Sequence, residues 1–247
     1  MTMPCEWRLT VGADLVSALI SAAIALIVAF PLGGALRRHP VPFYLVALAL
    51  VVAHLWYRLA GMYVAGAQVV VDVMQKAYLS CAFLALVMFI GVLDEQSAAR
   101  RRLQPIRAEL SILSFILALG HTIVFLPSYL PHFSRVFLSH PGMAASIVVA
   151  ILLVVVYVLL TVTSLHVLRV RMPYRVWKPI QRLSYAMVAL LYAHILLALG
   201  RSAFLGHGSA SAQLALVIYT LTTAVYVVLR IRKALRSRAA RSAAEGR

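Results

Sequence analysis

Acidic residues are scarce in this chain: seven Asp and Glu stand against 23 Lys and Arg among 247 residues. The interiors of its long apolar runs hold neither, and Asp14, Asp72, Asp94 and Glu109 fall near run ends. Ion- and proton-coupled carriers place carboxylates at mid-membrane depth, so this shortage counts against a coupled transporter. Cysteine is rarer still. Cys5 and Cys81 are far apart and form no CxxC, so free thiols are expected, with no structural disulfide. No glycine-rich nucleotide motif and no internal repeat is visible. The N-terminal stretch MTMPCEWRLT lacks a basic n-region and a cleavage site, so the first apolar run is expected to stay as a helix and not to be removed as a signal peptide. Strict polar–apolar alternation is also missing, which excludes a membrane β-barrel.

What is abundant is apolar side chain, 63% of the chain, with a mean hydropathy of +0.94. A soluble domain of this length must still solvate its surface, so this composition defines a polytopic membrane protein. Seven apolar segments can be marked, at 13–36, 43–60, 70–93, 109–127, 143–168, 180–200 and 211–230. Each is long enough for a hydrocarbon core of about 30 Å. The formal charge of +16 is concentrated between them. Alternate loops and the C-terminal tail carry 18 of the 23 basic residues; Arg8, Arg58, Lys76, Arg135 and Arg201 make up the other side. By the positive-inside rule this predicts an all-α bundle of seven transmembrane helices with its N-terminus outside and its C-terminus inside. In the first segment Pro31 is expected to bend the helix, and the third is expected to be plain. The tail after residue 230 reads either as an amphipathic surface helix or as a disordered end, with the second preferred.

Depth sorts the eight histidines. His121 lies 14 residues beyond Arg107, about 21 Å along a helix, and His194 lies 12 residues beyond Arg182, about 18 Å. Both segments run from inside to outside, so the two imidazoles are expected at one level in the outer half of the bilayer. An ionisable residue there is costly and usually has a partner or a task. Each histidine either hydrogen-bonds a neighbouring helix or serves as an axial ligand to a haem iron, the role that a depth-matched pair favours. Gly120 is consistent with close approach of a flat macrocycle. Zinc is disfavoured, because no carboxylate or thiolate shares that depth. His54 is a third candidate, a ligand or a partner for a propionate, with simple packing preferred. His166 is expected at the inner surface, and His39, His132, His140 and His207 in loops or at helix ends. Arg107, Arg182 and Lys178 are candidates for an acidic cofactor on the inner side, such as a flavin phosphate, although ordinary loop charge explains them as well.

The run Trp177-Lys178-Pro179-Ile180-Gln181-Arg182-Leu183-Ser184-Tyr185, followed by His194, resembles the ferric reductase-like transmembrane domain, and within it the MsrQ-like haem subunits. Arg100 to His121, a basic loop leading to a histidine in the next helix, is similar to the other ligand-bearing helix of that family. The resemblance covers 43–230. It implies a haem-binding bundle there, with 1–42 an additional helix and inner loop and 231–247 a basic cytoplasmic tail. Family members carry a further histidine about 13 residues before the one matching His194; here that position is Gln181, and the inner level of the fourth segment offers Ala108 and Glu109. One haem b held by His121 and His194 is therefore implied, not two.

The function expected is a b-type cytochrome subunit of the cell (inner) membrane. It would pass electrons from a cytoplasmic donor or a quinol to an extracytoplasmic redox partner. A bound flavin or quinone is a further possibility. With no flavin- or NADPH-binding domain after the seventh segment, the chain is expected to be an electron-transfer subunit, not a complete oxidoreductase. The alternative is a haem-free transporter or an assembly or anchor subunit with structural histidines.

Overall fold

The computed structural model describes residues 7–61, 68–129, 131, 141–204 and 209–245, and every regular element among them is helical. In hydrocarbon a main chain must satisfy its own polar groups, which continuous helices do. The seven apolar segments all become helix. The first forms α1 (Trp7–Ala29) and the short α2 (Gly33–Arg38), and the second forms α3 (Pro40–Leu59). Pro31 does more than bend the first helix. α1 stops at Ala29, because proline lacks an N–H and disfavours helical geometry in the residue before it.

The third segment departs furthest from expectation. It is two helices, α4 (Gln68–Gln75) and α5 (Tyr78–Ile90), meeting at 54°. Ala77 at the break has φ +57°, the left-handed region that costs an L-residue with a side chain roughly 1–2 kcal/mol. Ala77→Gly is therefore expected to stabilise the protein by about 1 kcal/mol, read as a rise in Tm in detergent. No glycine or proline announces this break in the sequence.

A short α6 (Ala98–Leu103) and a 3-10 turn lead into α7 (Arg107–Tyr129). Ser97 caps α6 by accepting from the Arg100 N–H at 3.2 Å. Then come α8 (Pro141–Ser164), α9 (His166–Arg169), α10 (Tyr174–Phe204) and α11 (Ala210–Glu245). The 36 residues of α11 extend about 54 Å, well past a bilayer core, so the tail preferred as disordered continues the last helix through Glu245. Among the described residues five helices are long and apolar enough to cross a membrane, or six with α4 and α5 taken as one bent span; the apolar part of α1, Asp14–Ala29, is shorter.

α7 is the hub, packed against α3, α5 and α8, while α10 lies between α8 and α11. Val51, Met74, Phe83, Leu110, Leu113 and Leu117 fill the space between the first helices. Small polar residues join α5 to α7: Ser80 Oγ donates to the Ser114 carbonyl at 2.8 Å and Ser114 Oγ to the Ser80 carbonyl at 2.6 Å. The Tyr157 hydroxyl of α8 donates to Ser114 Oγ at 2.5 Å. Interhelical hydrogen bonds of this kind contribute about 0.6–2 kcal/mol each in membranes. Ser114→Ala strips Tyr157 of its acceptor, and a loss of about 1–2 kcal/mol in unfolding free energy is the expected result in a denaturation titration.

Candidate functional site

His121 lies on the α7 face toward the α4–α5 break. Its Nδ1 donates to the Gln75 carbonyl at 2.5 Å. In an unbroken helix that carbonyl would accept from the N–H four residues on. The chain leaves the helix after Gln75, and the carbonyl is freed for the imidazole. His194 on α10 is held in the same way. Its Nδ1 lies 3.1 Å from the Ser146 carbonyl and 3.0 Å from Ser146 Oγ, and Ser146 Oγ in turn donates to the His194 carbonyl at 3.3 Å. A carbonyl can only accept. Both rings thus carry their proton on Nδ1, and among the described residues neither Nε2 lone pair accepts a hydrogen bond.

The two rings come together. Their centroids are 6.4 Å apart with planes at 82°, and Phe125 lies against His121 at 4.8 Å. One metal ion between two imidazole nitrogens, at roughly 2 Å from each, gives a ring separation of that order. Nδ1–H donated to a main-chain carbonyl is also the usual second-shell arrangement of a metal-ligating histidine. Two neutral imidazole nitrogens are a donor set of the kind that haem iron takes. Among the described residues no group of three or more His, Cys, Asp or Glu is placed to hold a bare metal ion.

His54, on α3, is 6% exposed, and its Nε2 has no hydrogen-bond partner. It lies within electrostatic reach of His121. At Gly120 a Cβ would meet Met74 Cε at 3.4 Å and Val51 Cγ2 at 3.5 Å, ordinary contact distances. His39 and His166 are exposed, whereas His132, His140, His207 and Cys5 lie outside the described residues. Cys81 is a free thiol.

On the opposite side, Arg107 is half-buried with Arg100 and Arg230 as charged neighbours. Arg182 and Lys178 are exposed, and the Lys178 ammonium stands 5.1 Å over the Tyr174 ring. The proposed inner set is thus divided between two surroundings. Gln181 has a structural partner, donating Nε2 to Thr163 Oγ1 at 3.0 Å, beside the Trp177 Nε1 bond to the Thr163 carbonyl at 3.1 Å. Tyr185 bonds Arg230 through its hydroxyl, with the guanidinium 5.0 Å over its ring.

Sequence reasoning passed over Asp14 and Lys76. Asp14 is 4% exposed, and its carboxylate takes the Lys76 ammonium at 2.5 Å and the Ser211 hydroxyl. Lys76 also pairs with Asp72 at 3.4 Å. The signal was a carboxylate at the start of one apolar run and a lone lysine on the same side of another. Asp14 and Tyr78 also border a cavity of about 210 Å³ between α1, α5, α10 and α11, which neither His121 nor His194 lines.

Apolar helices around two half-buried histidines, each hydrogen-bonded to a main-chain carbonyl of another helix, define a multi-pass membrane protein. Residues 79–192, somewhat under half of the chain, match the model of the ferric reductase like transmembrane component family, so α5, α7, α8 and most of α10 are similar to that transmembrane domain. His121 lies inside the match and His194 two residues beyond its end. The chain is also 35% identical over 175 residues to an uncharacterized protein of Treponema pallidum (strain Nichols), covering 70% of this chain and 48% of the relative. It therefore spans about half the length of that curated relative. No solved structure matches.

Proposed function

We propose that the chain is a b-type cytochrome subunit of the cell membrane, with His121 and His194 as axial ligands of one haem. The observation that carries this reading is the matched state of the two rings: 6.4 Å apart, each Nδ1 held by a main-chain carbonyl, each Nε2 without a hydrogen bond among the described residues. The haem would supply a one-electron couple, and bis-histidine ligation suits electron transfer better than oxygen chemistry. The residues of the chain do the rest. Gln75 and Ser146 fix ring tautomer and direction through their carbonyls, and Phe125 shields the His121 ring from water. In this reading the buried Nε2 of His54, unpartnered among the described residues, would donate to a carboxylate of the bound group. Gln181 bonded to Thr163, with Glu109 in place of a histidine on α7, favours one haem over two.

In this reading the chain crosses seven times, α4–α5 as one bent span and α1 as the first, with its N-terminus outside and the α11 tail inside. Electrons move from a cytoplasmic donor or a quinol toward an extracytoplasmic partner. The test is an absorption spectrum of protein purified after haem-replete expression. A sharp α-band on dithionite reduction is expected. Haem-free protein would leave the histidines structural and return the chain to an assembly or anchor role.

A further inference from the structure

The Gln75 carbonyl reaches His121 only because the helix is broken behind it, and a break with a left-handed alanine has to be held open by something. The residue between Gln75 and Ala77 is Lys76. Its ammonium leaves the break and binds Asp14 of α1 at 2.5 Å, with Asp72 one turn back at 3.4 Å. Asp14 is itself anchored by Ser211 at the start of α11. Ser17 of α1 adds a 3.5 Å contact to the Val69 carbonyl of α4. Relaxing the break into a continuous helix would return the Gln75 carbonyl to the Leu79 N–H, take it from His121 and swing Lys76 off Asp14.

We infer that the Asp14–Lys76 ion pair is a positioning device for His121. It keeps the α4–α5 break open, and through the Gln75 carbonyl it sets the tautomer and ligand strength of the imidazole. This rests on the haem reading for its redox consequence, while the tautomer it fixes does not depend on haem. α1, by sequence an appendage to the haem-binding bundle, becomes part of the site's support. A carbonyl bond at Nδ1 raises imidazole basicity and favours the oxidised metal, so losing it raises the reduction potential.

The experiment compares wild type with Lys76→Met and Lys76→Arg in lipid nanodiscs, using two readouts. Nitrogen-15 NMR of histidine-labelled protein, with the His121 signal assigned by its loss in His121→Asn, reports the tautomer in haem-free samples. Redox titration reports the midpoint potential in loaded ones. The expected result is Nδ1–H in wild type and Lys76→Arg, and a mixture of tautomers in Lys76→Met. The ferric–ferrous equilibrium of Lys76→Met should also shift about tenfold toward ferrous, or 59 mV for a one-electron couple. An unchanged Nδ1–H signal in Lys76→Met overturns the inference whatever the potential does. Protein that never binds haem sinks the cytochrome reading instead, and the tautomer arm still decides the positioning. If Lys76→Met does not fold, Asp14→Asn, close to isosteric, carries the same readouts.

Discussion

His194→Ala and His121→Ala are each expected to abolish the reduced α-band, with haem content falling at least tenfold while the bundle still folds. Loss of a second-shell partner alone costs about 10–100-fold in affinity, and loss of a ligand cannot cost less. The neighbouring substitutions sharpen the test. Ser146→Ala removes the hydroxyl 3.0 Å from His194 Nδ1 but leaves the main-chain carbonyl at 3.1 Å, so its loss of haem should be far smaller. Gln75→Ala should be silent, because His121 bonds the carbonyl and not the side chain. His54→Leu should keep the band. Haem content by pyridine haemochrome, with circular dichroism to verify folding, separates these outcomes. A band that survives either His121→Ala or His194→Ala would refute bis-histidine ligation by this pair.

Lys76→Met should give the largest stability loss among single surface-to-neutral changes, about 2 kcal/mol. Breaking a buried pair by removing one partner costs about 3–5 kcal/mol, because the other charge is left uncompensated. Here the lysine side chain is 42% exposed, so solvent already screens part of that interaction and the figure is discounted. Asp14 remains nearly inaccessible beside Asp72, with only the Ser211 and Tyr78 hydroxyls left to donate to it among the described residues. The measurement is unfolding in mixed micelles, with Arg58→Met as the comparison. Equal stability of the two variants would mean that the Asp14–Lys76 pair adds nothing. Restoring the cation in Lys76→Arg should recover most of the loss.

By itself the sequence determined that this chain is a bundle of apolar helices, because a run of about 20 apolar residues has no other way to satisfy its main chain in lipid. It also singled out His121 and His194. Spacing from the basic threshold measures depth in a helix of fixed rise, and two rings at one depth can meet, as these do at 6.4 Å. The matched family segment, residues 79–192, lies within the stretch that the Trp177–Tyr185 motif had marked. Orientation toward the rest of the site was not legible. The groups that hold both imidazoles are main-chain carbonyls, of Gln75 and Ser146, which every residue has and no sequence pattern advertises.

Tertiary structure alone decided that the third apolar segment breaks. Nothing between Gln75 and Tyr78 is a glycine or proline; the break depends on an ion pair between residues 62 positions apart. It likewise gave Gln181 its Thr163 partner. Local pattern specifies which segments enter the membrane. Contacts between distant segments specify where each side chain points once it is there, and in this protein they bring two imidazoles to 6.4 Å from each other.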